Sequence, residues 1–100
     1  MLRAELQDNA DTLIMRIEGR FVGQYAKEAK SLVTGSKLLP PRLIVDVSEV
    51  TFIDATGEKV LSWLGRMGAE FVAQNSYSRD VCERLDLPLT ETGEAATRSS

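Results

Sequence analysis

The segment 43–47 constrains the fold of this chain more than any other part of the sequence. It contains Leu, Ile, Val, Asp and Val, so it is almost continuously apolar and rich in β-branched residues. Such a run predicts a strand that is buried on both faces, as in the centre of a parallel sheet. The chain has 100 residues, which is enough for one domain with a modest core. We therefore expect a single α/β domain built around this strand.

The other segments show the periods of further strands and helices. Apolar and polar residues alternate over 2–7 and 12–18, on either side of a polar turn, which predicts a β-hairpin. From residue 24 the apolar spacing becomes that of a helix, and Gly35 stands where a C-terminal cap is expected. The order β-β-α-β-α-β-α predicts a four-stranded mixed sheet, with the helices mainly on one face. The remaining predicted elements are a loop at 48–56, a helix at 57–67, a strand at 69–73 and a helix from 77 or 78 to 85.

The apolar spacing within the helices also predicts which side chains face the core. In each helix the apolar residues form a stripe opposite a charged face. After Leu89 the sequence contains no large apolar residue. We therefore expect a domain over 1–89 and a flexible tail over 90–100. The residues predicted to face the core are Tyr25, Ala26, Ala29, Leu32 and Val33 in the first helix and Val60, Leu61, Leu64 and Met67 in the second.

Composition excludes several classes of function. The absence of histidine excludes Ser-His-Asp and Cys-His catalysis and imidazole metal sites, and the single cysteine, Cys82, is expected to be a small core residue. Twelve basic and fifteen acidic residues give a net charge of −3, which is not the basic footprint of a nucleic-acid-binding protein. No apolar stretch has the length of a signal peptide or a membrane span. We expect a cytoplasmic binding or regulatory module that has no catalytic residues, cofactor or metal.

The segment that follows the central strand carries the clearest functional signal. Asp54, Ala55, Thr56 and Gly57 stand at the predicted start of the second helix. Asp and Thr are both good N-cap residues, and a phosphate on a hydroxyl at this end would meet backbone N–H donors and a favourable helix dipole. The Thr56 hydroxyl therefore suits a phosphorylation switch. The alternative is that Asp54 or Thr56 only caps the helix.

The same segment resembles the STAS domain, the fold of bacterial anti-sigma factor antagonists and of the cytoplasmic tails of sulfate transporters. That family has an apolar strand ending in Asp, a short linker, an aromatic and an apolar residue, and then Asp-Ser-Ser/Thr-Gly at a helix start. The glycine and strand at 68–72 and the loop and helix at 76–87 also resemble the family, so the likeness spans about residues 2 to 89. The residues of this chain that fall on the motif are Asp46, Phe52, Ile53, Asp54, Thr56 and Gly57.

The resemblance implies a switch that works through a protein partner. In antagonists of this family, an anti-sigma factor that is also a serine/threonine kinase phosphorylates the Asp-x-x-Gly loop, and the unphosphorylated antagonist binds that partner. The resemblance makes Thr56 the candidate acceptor. It implies that Asp54 and Asp46 belong to the switch loop, and that Gly57 permits a tight turn and the close approach of a partner.

Two departures from the family pattern leave a second function open. Ala55 stands where the family often has serine, and Glu58 and Lys59 replace an apolar residue and a glycine. The alternative is a constitutive scaffold or homodimer within a larger complex, without phosphorylation.

The expected partner surface consists of the 48–59 loop and the second helix. Trp63 lies off the main apolar face of that helix, where it could anchor a partner or pack on a flanking helix. The candidate partner-binding residues are Phe52, Glu58, Lys59 and Trp63.

Overall fold

The computed structural model describes residues 2–9, 11–34 and 42–90, and its elements follow the predicted order. The strands form one mixed sheet in the order β1-β2-β3-β4, which confirms the predicted four-stranded architecture. The predicted Gly35 cap and residues 91–100 of the predicted tail lie outside the described residues. The elements are β1 (Leu2–Asn9), β2 (Thr12–Phe21), α1 (Gly23–Thr34), β3 (Arg42–Ile53), α2 (Ala55–Arg66), β4 (Glu70–Val72) and α3 (Ser76–Arg84).

The central strand β3 is buried on both faces, as its apolar run predicts. Leu43, Val45 and Val47 alternate into one hydrophobic cluster that also includes residues from β2 and from all three helices. Ile44 points to the other face and is only 2% exposed. Because one cluster contains all three helices, they cover a single face of the sheet. β3 pairs in parallel with both β2 and β4, whereas β1 and β2 are antiparallel.

The face of the sheet opposite the helices carries charged pairs. Arg42 donates two parallel hydrogen bonds to Glu70, from Nε to Oε2 at 3.0 Å and from Nη2 to Oε1 at 2.9 Å. This hydrogen-bonded guanidinium lowers the pKa of the Glu70 carboxyl. Arg16 pairs with Asp46 between the neighbouring strands at 3.5 Å. These ion pairs border Ile44 on a face that no described helix covers.

The prediction of a loop over 48–56 is wrong for most of that range, because β3 continues to Ile53. β2 also extends beyond its predicted end to Phe21, and the two strands stay paired through two register shifts. Gly19, with φ of +98°, lies at one of these irregularities, where a left-handed residue is readily accommodated. The shifts break the strict alternation of apolar residues, so the sequence pattern ends before the strand does.

The sequence predicts more core residues in α1 and α2 than the structure buries. Tyr25, Leu32 and Met67 are exposed, although the helical spacing places them with the apolar residues. The stripe of α1 that is buried consists of Ala26, Ala29 and Val33, which are small enough to bring its backbone close to the core. Met67 is the C-cap of α2 and lies beyond its last turn.

Cys82 is a core residue, as predicted. Its side chain is fully buried in the hydrophobic cluster. Burial raises the pKa of the thiol to about 11, with a smaller contribution from Glu83. The thiol is therefore protonated near neutral pH, and its role is to fill space.

Candidate functional site

One carboxylate joins the N-termini of α1 and α2. Asp54 is the N-cap of α2 and has an extended backbone. Its Oδ1 accepts from the Gly57 N–H at 2.8 Å, and its Oδ2 accepts from the Gly23 N–H at 3.1 Å. Negative charge at a helix N-terminus is favourable, and here one side chain serves two helices. Asp54 is thus the capping residue, which leaves the hydroxyl of Thr56 available.

Thr56 lies in the first turn of α2 and is partly exposed. It lines a groove of about 530 Å³ between α1 and the start of α2. The adjacent Ala55 is exposed and has no hydroxyl. Thr56 is therefore the hydroxyl residue that this turn presents at the surface. The other residues that line the groove are Gly23, Gln24, Lys27, Glu28 and Ser31.

Charges of both signs surround Thr56, and the acidic residue that follows it in the sequence, Glu58, is paired with another helix. Glu58 accepts from Arg84 of α3 at 2.8 Å, and this hydrogen bond raises the pKa of Arg84. Lys59 is exposed and lies three residues after Thr56, on the same face of α2. Lys27 lies in the groove across from Thr56, beside Glu28. A negative group on Thr56 would therefore have lysines on two sides.

Gly57 permits a close approach, but the approaching atoms belong to this chain. The residue is buried, and a Cβ added there would lie 2.2 Å from the Phe21 carbonyl oxygen and 2.9 Å from Cγ2 of Ile53. The expectation that this glycine admits a partner is therefore not what the geometry shows. Gly57 lets the first turn of α2 pack against the end of β2, which holds Asp54 and Thr56 in place.

The residues expected to bind a partner fall into two groups. Phe52 is 44% exposed at the end of β3, with the Arg20 guanidinium 5.4 Å from its ring centroid. Lys59 is also exposed, whereas Glu58 is paired with Arg84. Trp63 packs against the core, and Lys30 of α1 lies 4.7 Å above its ring, as the flanking-helix alternative predicts.

Asp46 does not belong to the same site. It lies seven residues before the end of β3, roughly 20 Å away along an extended strand. Its Oδ1 accepts from the Ser48 N–H at 3.0 Å, and its Oδ2 lies 3.5 Å from Nε of Arg16. Asp46 therefore stabilises the irregular middle of β3 and cannot contact Asp54 directly.

Side chains at the start of α3 support the site, and their role was not predicted from the sequence. β4 stops pairing with β3 at Asp46, which leaves the rest of β3 without a strand on that side. Ser78 donates to the Val47 carbonyl at 2.7 Å, and Asn75 donates to the Ser48 carbonyl. Both residues thus supply donors to β3 where β4 has ended.

Tyr77 completes this set next to Asp54. Its hydroxyl accepts from the Ile53 N–H at 2.8 Å and lies 3.4 Å from the Ile53 carbonyl, to which it can donate. Asn75 also caps α3, since its side chain accepts from the Ser78 N–H at 2.7 Å. The helix therefore begins one or two residues earlier than predicted. The Asn-Ser-Tyr-Ser run offered a capping signal, but its contacts are with residues more than twenty positions away.

Comparison with known proteins places this architecture among solved structures. An anti-sigma factor antagonist from Mycobacterium paratuberculosis superimposes with a TM-score of 0.78 at 20% identity, over 99% of this chain and 93% of that chain. SpoIIAA, an anti-sigma factor antagonist in its unphosphorylated form, gives a TM-score of 0.75 at 16% identity, over 95% and 93%. The chain has a STAS-like fold.

A third structure extends the likeness beyond antagonists. An uncharacterized DUF3478 protein from Shewanella loihica with a SpoIIAA-like fold gives a TM-score of 0.59 at 10% identity, over 92% of this chain and 85% of that chain. No protein-family model matches the chain. The search of curated proteins also found no match. These likenesses confirm the fold expected from the STAS resemblance.

The described parts of the chain contain neither a candidate membrane span nor a candidate metal cluster. None of the three helices there combines the length and hydropathy of a membrane span. Residues 2–9, 11–34 and 42–90 also contain no cluster of three or more potential metal-ligating side chains.

Replacing Asp54 with alanine should lower the free energy of unfolding by about 1–2 kcal/mol, because both helices lose an acceptor. Asp54→Asn should lose less, since asparagine caps helices nearly as well. Urea unfolding followed by circular dichroism measures both values. Equal stability of the Asp54→Ala variant and the unmodified chain would contradict the capping role.

Proposed function

We propose that this chain is a non-enzymatic signalling module that binds a protein partner, and that phosphorylation of Thr56 switches this binding. Two of the structures with the same fold are anti-sigma factor antagonists. We propose the same class of partner here, an anti-sigma factor with serine/threonine kinase activity, and a cytoplasmic location. The observation that carries the proposal is a single accessible hydroxyl at the Asp54-capped start of α2, beside a groove.

The surroundings of Thr56 suit a phosphate. The group would add roughly −1.5 to −2 charge at a helix N-terminus, where the dipole favours anions. Lys59 on the same face of α2 and Lys27 across the groove would offset part of this charge, whereas Glu28 in the groove and the Asp54 cap add negative charge nearby. Glu58 is held by Arg84, which reduces its repulsion. The modified chain should therefore stay folded while its surface changes sign locally.

The partner surface that we propose surrounds this turn. Phe52 supplies an exposed aromatic ring and Lys59 an exposed cation. Exposed aromatic residues often anchor protein interfaces. A phosphate placed between such residues would disrupt a surface complementary to the unmodified chain.

The test uses the purified anti-sigma factor kinase encoded in the same genome. Incubation with ATP followed by mass mapping should place one phosphate on Thr56, and Thr56→Ala should abolish it. Ser31→Ala is the matched control, because Ser31 lies in the same groove and its variant should still be modified. The phosphorylated chain should bind the kinase at least about tenfold more weakly, which corresponds to about 1.4 kcal/mol.

The alternative, a constitutive scaffold, gives a different result in the same experiment. Partner binding without modification of Thr56, and with affinity unchanged in Thr56→Glu, would overturn the switch and support the scaffold. Two features favour this second candidate. Ala55 has no hydroxyl to be modified, and Glu58 is paired with Arg84 within the chain.

A further inference from the structure

The two edges of the sheet differ in whether another segment of the chain covers them. At the β4 edge, the Phe71 N–H donates to the Pro88 carbonyl at 2.8 Å, and the Thr90 N–H donates to the Phe71 carbonyl at 2.7 Å. The segment 88–90 thus covers this edge and forms a parallel bridge between Phe71 and Leu89. Covering an edge in this way prevents pairing with another chain.

The β1 edge lacks such a cover among the described residues. β1 has eight residues, pairs with β2 on its inner side in an unbroken register from Leu2 opposite Gly19 to Asn9 opposite Thr12, and contains no proline. Its residues 3–8 are exposed or partly exposed. An edge of this length, without a bulge, presents alternate N–H and C=O groups that another strand can pair with.

The charges along β1 are complementary to themselves. Arg3 and Glu5 lie on the same face of the strand and pair with each other at 3.0 Å, with side chains 72% and 54% exposed. If two β1 strands run antiparallel with Ala4 opposite Ala4, each Arg3 lies opposite the other copy's Glu5. A register centred on Arg3 or on Glu5 instead places like charges opposite each other. Opposite charges across a strand pair stabilise it, and like charges destabilise it.

An apolar side chain adds to this edge. Leu6 lies opposite Met15, a buried core residue, and is therefore on the helix-covered face of the sheet. Leu6 itself is 39% exposed at the open edge. A second strand beside β1 would cover it, and burial of apolar area favours association.

We propose that two copies of this chain associate through their β1 edges, antiparallel and centred on Ala4. A twofold axis perpendicular to the sheet relates the copies, so the two sheets join into one sheet of eight strands with all helices on the same face. Each interface contains two Arg3–Glu5 pairs between the copies, related by the axis, in place of the pair that Arg3 and Glu5 form within one chain. This surface is separate from Thr56, so its failure would leave the proposed switch unaffected.

The experiment measures the mass of the whole chain in solution over a wide range of concentration by sedimentation equilibrium. A dimer is expected. Arg3→Glu should weaken it by about tenfold, because both ion pairs become repulsive. Exchanging the charges, in the double variant Arg3→Glu with Glu5→Arg, should restore dimerisation. Arg79→Glu on exposed α3 reverses the same charge elsewhere and should leave dimerisation unchanged.

Two results would overturn the proposal. One is a monomer at all concentrations. The other is a dimer that Arg3→Glu leaves equally strong. Because charge reversal could also weaken the β1–β2 hairpin, amide hydrogen exchange of residues 2–9 is measured in each variant. Protection that rises with concentration in the unmodified chain, and does not rise in a folded Arg3→Glu variant, supports the edge contact.

Discussion

Replacing Gly57 with alanine is expected to lower the free energy of unfolding by about 3 kcal/mol, the upper part of the range for overpacked cores. The new Cβ would lie 2.2 Å from the Phe21 carbonyl oxygen, and backbone atoms cannot yield as a flexible side chain can. Relief requires α2 to move away from β2, which would separate Asp54 from the Gly23 N–H at the start of α1. Chemical unfolding with a circular dichroism readout measures the loss.

The matched control is another glycine of the same helix. At Gly65 the nearest atom to an added Cβ is Cδ2 of Leu87, at 3.0 Å, and this is the end of a flexible side chain. Alanine is favoured over glycine inside a helix by about 1 kcal/mol. Gly65→Ala should therefore be neutral or stabilising. Equal effects of the two substitutions would show that the contact with β2 is not what requires Gly57.

Replacing Ser78 with alanine is expected to cost about 2 kcal/mol of unfolding free energy. The side chain is fully buried, and its hydroxyl donates to the Val47 carbonyl at 2.7 Å and approaches the Val50 carbonyl at 3.4 Å. Water cannot easily replace a donor at a position without solvent exposure. The Val47 carbonyl would therefore remain without its partner, in a part of β3 where β4 no longer pairs.

Ser76 provides the control for this substitution. It is the first residue of α3 and is exposed. Ser76→Ala should change the free energy of unfolding by no more than about 0.5 kcal/mol, as is usual for surface positions. Thermal and urea unfolding of both variants make the comparison. A Ser78→Ala variant as stable as Ser76→Ala would contradict the role of α3 in completing β3.

The architecture could be predicted from local patterns because each element has its own period. The apolar run of β3, the alternation in β1 and β2 and the helical spacing of α1 and α2 are all properties of neighbouring residues. The predictions were wrong at positions where contacts with other elements interrupt the local pattern of apolar residues. β3 stays paired with β2 as far as Ile53, across two register shifts that interrupt the alternation. In α1, close packing through Ala26 and Ala29 leaves Tyr25 exposed.

The candidate site was predicted in part for the same reason. Asp54 and Thr56 were recognised because capping residues act on the next turn of their own helix. The second acceptor role of Asp54, toward Gly23, joins residues 31 positions apart and has no local pattern. The pairing of Glu58 with Arg84, over 26 positions, likewise has no local pattern that predicts it. This pairing offsets negative charge close to Thr56.

Local patterns in the amino-acid sequence are sufficient to predict the order of strands and helices, the buried central strand and the hydroxyl at the start of α2. Hydrophobic periodicity and helix capping depend on residues that are close together in the sequence, so both can be predicted without a structure. Two features follow from tertiary packing instead: Gly57 faces the chain's own β2, and α3 takes the place of a longer β4 through Ser78 and Asn75. Those contacts depend on which distant backbone groups are left without partners, and that is determined by how the elements pack.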